Sequence, residues 1–165
     1  MTEFEILAEV SIGLIGFAGV VVALGRADLS RSAQKFHLTM LFANGVAALW
    51  GSLSPTIARL ILGMESSYIA LASLMYLPVF AFVNIYAHRI IFRFYSTSKD
   101  TSPLLAYAVA FIITSSFMYM AVALIAYPVQ IAASMYTSIS LLLFLGLSHF
   151  YDLVTAIPRG GRDDA

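Results

Sequence analysis

The chain has 165 residues, 61% hydrophobic and only 11% charged, with nine Lys or Arg balancing nine Asp or Glu. A water-soluble domain carries about 25% charged residues, so this chain lacks the polar surface to clothe a globule in water and its exterior is expected to face lipid. Zero net charge without a long basic run excludes the electrostatic footprint of a nucleic-acid partner. The lack of cysteine excludes disulfides, thiolate metal sites and cysteine nucleophiles.

In chain order, the first apolar stretch covers about residues 4–25. Its leading residues are acidic and its apolar run is longer than a secretory h-region, so it reads as a retained membrane span. Gly13, Gly16 and Gly19 recur along it at intervals of three and suggest a packing face on which a neighbouring helix could approach closely. Glu9 falls on that same face by the i, i+4, i+7 rule. The segment RADLSRSAQKFH follows and has the composition of a polar loop, which would leave His37 in the first loop at the membrane interface.

The second span is read at about 38–62 and is the least apolar, containing Pro55, nearby hydroxyl residues and Arg59. GMESS reads as a tight turn, and the third span at about 68–92 contains Pro78. Pro55 and Pro78 are expected to kink their helices, since each removes a backbone hydrogen bond. In STSKDTSP, Ser102 can cap and Pro103 can open a fourth span at about 104–127. A very short link containing Pro128 leads to a fifth at about 129–157, which Pro158, Gly160 and Gly161 terminate. The expected fold is all-α, a single five-helix membrane domain.

Orientation follows from the cations, which favour the cytoplasmic side. Arg26, Arg31 and Lys35, then Arg89, Arg93 and Lys99, then Arg159 and Arg162 all fall at one side if the N-terminus lies outside and the C-terminus in the cytoplasm. Only Arg59 breaks the pattern. It lies ~5 Å from the outer end of its span, and Glu9 ~8 Å from the outer end of the first, at 1.5 Å per residue; the two are expected to pair.

At the inner side the same count places Asn44 ~10 Å, Asn84 ~12 Å, His88 ~6 Å, His149 ~13 Å and Asp152 ~9 Å deep. With Arg89 close by, three separate stretches contribute to one polar layer, which should face the bundle interior. Such a layer can hydrogen-bond helices together, with Asp152 neutralising Arg89. It can carry a proton or ion path. It can also hold b-haem between His88 and His149, or a metal between two imidazoles and a carboxylate. The structural use is preferred, transport comes second, and no metal or cofactor is assigned.

No HExxH, phosphate-cradling glycine loop or nucleophile elbow is present. Thr114, Ser115 and Ser116 lack a catalytic surrounding, and hydroxyls in membrane helices ordinarily bond back to their own backbone. No enzymatic activity is expected.

EVSIGLIGFAGVVVALGR at residues 9–26, with SLSP at 52–55, resembles a pattern of uncharacterised bacterial multi-pass membrane proteins. There a GF-small-G-VVVALG run precedes a basic loop and Ser-Leu-x-Pro follows in the second span. The resemblance covers mainly the first third of the chain and implies a bacterial inner-membrane setting. It brings no activity and no functional residue. The function expected is that of a structural or partner-binding membrane subunit, a homo-oligomer or a component of a larger assembly. The alternative is a small oligomeric transporter or ion or proton channel, with a b-haem protein as the third reading.

Overall fold

The computed structural model describes residues 3–23, 32–63, 68–97 and 130–155. They form four helices: α1 (Glu3–Ala23), α2 (Ser32–Leu62), α3 (Tyr68–Thr97) and α4 (Ile131–Thr155). Each contains a segment long and apolar enough to cross a membrane, α2 included. The predicted fourth span at 104–127 lies outside the described residues.

Side-chain periodicity explains how the helices assemble. On α1 the buried positions are Leu7, Ala8, Ser11, Leu14 and Ala18, a stripe that follows intervals of three and four. On α4 the buried stripe runs from Ile131 through Met135, Ser138, Leu142 and Gly146 to Leu153. Helix α2 packs against each of the other three and forms the centre of the bundle.

Close approaches fix the register. A Cβ built on Gly51 would meet Tyr76 at 2.7 Å and Ile139 at 2.9 Å, and one on Gly146 would meet Leu14 at 2.7 Å and the Asn44 side chain at 3.8 Å. Gly51 thus faces Ile139 while Asn44 faces Gly146, so α2 and α4 run antiparallel. Ring contacts of Phe4 with Tyr136 and of Phe17 with Phe150 make α1 and α4 parallel. Gly63, at φ 74, takes the left-handed conformation that ends α2.

The structure bears on three sequence expectations, of which the first is corrected. Helix α2 starts at Ser32, so Lys35 and His37 belong to a helix and not to the first loop. Ala33, Gln34 and Lys35 are good helix formers; the polar residues there mark the edge of the apolar stretch, and the helix extends past it. Second, Gly13, Gly16 and Gly19 do not pack against α2, α3 or α4. They are exposed, and among the described residues no atom lies within 4 Å of a Cβ built on any of them. The bundle takes up the leucine-bearing side of α1, which offers far more dispersion contact than a bare glycine ridge. The glycines that permit close approach are Gly45, Gly51 and Gly146. Third, Pro55 and Pro78, the residues expected to kink their helices, lie inside α2 and α3, and each helix continues on both sides of its proline. Pro55 cannot donate to the Gly51 carbonyl, and the Ser54 hydroxyl donates to that oxygen instead at 2.8 Å. A local serine thus satisfies the carbonyl freed by the proline, as a low-dielectric surrounding demands.

Candidate functional site at the ends of α2 and α4

The second turn of α2 and the last turns of α4 come together at one end of the bundle. His37 lies on the α2 face that continues through Leu41 and Asn44 toward α4. His149 lies one turn beyond Gly146 on α4, and Asp152 one turn farther on. The antiparallel register brings all three side chains to one place.

The Nδ1 atoms of His37 and His149 are 3.1 Å apart. One Asp152 carboxylate oxygen lies 3.6 Å from His37 Nδ1. Two facing ring nitrogens at hydrogen-bond distance need a single proton between them, one ring donating and the other accepting. Phe36 packs edge-on against both imidazoles, with ring centroids 5.1 Å from His37 and 5.6 Å from His149. This aromatic wall fixes the ring planes. Both histidines are half-buried, whereas the Asp152 side chain is 50% exposed and opens the cluster to its surroundings.

The other expected members of the layer do not join this cluster. Asn84 is buried on α3, and its amide donates to the Phe80 carbonyl of its own helix at 2.7 Å. Asn44 is buried against Gly146, and its Nδ2 has no hydrogen-bond partner among the described residues. Arg89 is exposed on α3, and the Asp152 carboxylate lies beside the His37 ring instead. His88 belongs to α3, but its side chain lies outside the described set, and with it the proposed haem pairing to His149.

Sequence reasoning missed His37. Its i, i+4, i+7 relation to Leu41 and Asn44 was the available signal, masked by a loop-like composition upstream. At the opposite end of the bundle, Glu9 is exposed among the described residues on the glycine face of α1, and Arg59 is exposed in the last turn of α2. Their pairing stands as a proposal, read by the coupling in a Glu9→Gln/Arg59→Gln cycle.

Hydroxyl groups behave as expected of apolar surroundings. Ser11 donates to Leu7, Ser52 to Ala48, Ser134 to Ile131 and Ser138 to Met135, each a carbonyl of its own helix. Thr114, Ser115 and Ser116 lie outside the described residues. Comparison with family models, with curated proteins and with solved structures found no match to this chain.

Proposed function

We propose that the chain is a multi-pass bacterial inner-membrane protein without enzymatic activity, acting as a structural or partner-binding subunit. The observation that carries this reading is the closed interior. Tyr76, Phe80, Met135 and Ile139 are fully buried at the middle of the bundle, and the buried serines turn back onto their own helices. The buried polar side chains of this interior include Asn44, Ser52, Ser134 and Ser138, and the three serines each donate to a carbonyl of their own helix. A conducting path would have to run between copies of the chain or beside residues outside the described set. The side of α1 that is uncovered among the described residues, with Glu9, Gly13, Gly16 and Gly19, suits a close-packed neighbour in the bilayer, and we assign it to a second copy of α1. A repeated glycine ridge is complementary to itself and lets two backbones meet.

Five crossings with the N-terminus outside remain the preferred topology. The short connection after Gly63 makes α2 and α3 antiparallel neighbours, so Thr97 ends α3 at the end of the bundle where α2 begins. Ile131 opens α4 at the opposite end. Chain continuity between those two ends calls for one further crossing, and we assign it to 104–127.

Purified protein in proteoliposomes containing a pH-sensitive dye should show no proton flux above empty vesicles, while native mass spectrometry should report a dimer or larger assembly. Gly16→Leu should return that assembly to monomer. A proton flux abolished by His149→Ala and by Asp152→Asn would replace the subunit reading with the transport one. A wild-type monomer with no bound partner would remove the subunit role.

A further inference from the structure

We propose that His37, His149 and Asp152 form a binding site for a divalent first-row transition metal ion of the zinc class, bridging the start of α2 and the end of α4. One ligand atom from each residue lies within 4.8 Å of the other two. Zinc bonds to imidazole nitrogen and carboxylate oxygen are about 2.0–2.1 Å, which sets the edge of a tetrahedral ligand set at roughly 3.3 Å. The two separations in the structure, 3.1 Å between the imidazole nitrogens and 3.6 Å from nitrogen to carboxylate, fall on either side of that edge. The third separation is within 4.8 Å, so an ion placed between the three atoms draws His149 and Asp152 toward each other.

The chemistry of the donors agrees with the geometry. Two neutral imidazoles and one carboxylate suit a borderline ion such as Zn2+ or Co2+, while Mg2+ and Ca2+ prefer all-oxygen surroundings. Two donors one turn apart on one helix, completed from a facing helix, are an arrangement that helix bundles use to hold metals. A divalent cation also resolves the meeting of two ring nitrogens, because both lone pairs can then be used at once. Three protein donors leave a fourth position for water or an incoming ligand. The half-exposed carboxylate leaves the site open on one side, and Phe36 walls the imidazoles on the other. Once occupied, the site clamps two helices that are far apart in sequence. This inference stands independently of the subunit reading.

The test uses the full chain, free of any polyhistidine tag and stripped with a chelator, in detergent. Zn2+ should bind at one ion per chain and raise the melting temperature, and Mg2+ at the same concentration should leave it unchanged. Co2+ should give the visible bands of a four-coordinate site. His37→Gln and His149→Gln should abolish stoichiometric binding. Asp152→Asn alters a half-exposed side chain with little effect on packing, and should weaken binding at least tenfold while the helical circular dichroism stays intact. Failure of the folded wild-type chain to bind Zn2+ stoichiometrically would overturn the site. Equal binding by the wild type and by Asp152→Asn and His37→Gln variants that retain the fold would also overturn it, placing the ion elsewhere.

Discussion

Replacing Tyr76 by alanine should destabilise the bundle by about 3 kcal/mol or more, within the range seen when large buried aromatic side chains are truncated. The ring is fully buried where α2, α3 and α4 meet, stacked at a tilt on Phe80 with ring centroids 5.4 Å apart. Lipid is as apolar as the core, so little of this loss comes from water-to-oil transfer. It comes from dispersion contacts that a cavity cannot remake. Unfolding in mixed micelles, followed by circular dichroism, reads the effect. Tyr151, 67% exposed on α4, is the control, and its alanine variant should stay within about 0.5 kcal/mol of the wild type. Equal losses at the two positions would mean that Tyr76 is not the keystone of this interface.

The second large effect is expected at Gly51. A Cβ there would lie 2.7 Å from one Tyr76 ring carbon and 2.9 Å from Ile139, both belonging to fully buried side chains with nowhere to retreat. Gly51→Leu adds three further carbons to that gap. Overpacking of this kind typically costs about 1–3 kcal/mol and more where the backbone has to move, so the variant should unfold early or fail to purify as a single species. Gly16→Leu has open space around it among the described residues and should leave the fold of a single chain unchanged. The two glycines look alike in sequence, both inside apolar helices. The sign of the contrast therefore tests the side of α1 on which the bundle was built.

That contrast shows where the sequence was legible. Length and hydropathy marked the described helices, and the least apolar of the predicted spans proved to be the central one. Ser54 in that helix satisfies the Gly51 carbonyl that Pro55 leaves without a donor, and the small side chains of Ser52 and Ser54 let neighbours close in. Spacing alone could not rank two glycine sets, Gly13/Gly16/Gly19 against Gly45/Gly51, because both permit close approach. The choice was made by what surrounds them: leucines on the opposite side of α1, alanines and serines beside the glycines of α2.

The candidate site was half legible. His149 and Asp152 were visible as neighbours one turn apart, and their position near the inner end followed from counting residues. His37 was hidden because composition reports the polarity of a segment, whereas a helix can run past the hydrocarbon boundary without changing its hydrogen bonding. A contact between residues 112 apart in sequence depends on the antiparallel register of α2 and α4. That register is set by shape at Gly51 and Gly146, which no one-dimensional pattern encodes.

Every part of this account assumes that the outward-facing apolar side chains are solvated by hydrocarbon. Phe82 on α3 and Phe144 on α4 are 69% and 67% exposed near the middle of their helices. The chain contains no cysteine, so single cysteines at these positions can be probed without background. In native membranes Phe82→Cys and Phe144→Cys should resist a membrane-impermeant maleimide, while Glu3→Cys at the start of α1 reacts, and all three should label after denaturation in detergent. Rapid labelling of Phe82→Cys and Phe144→Cys before denaturation would mean that water, not lipid, covers these faces, and the membrane-spanning bundle would have to be abandoned.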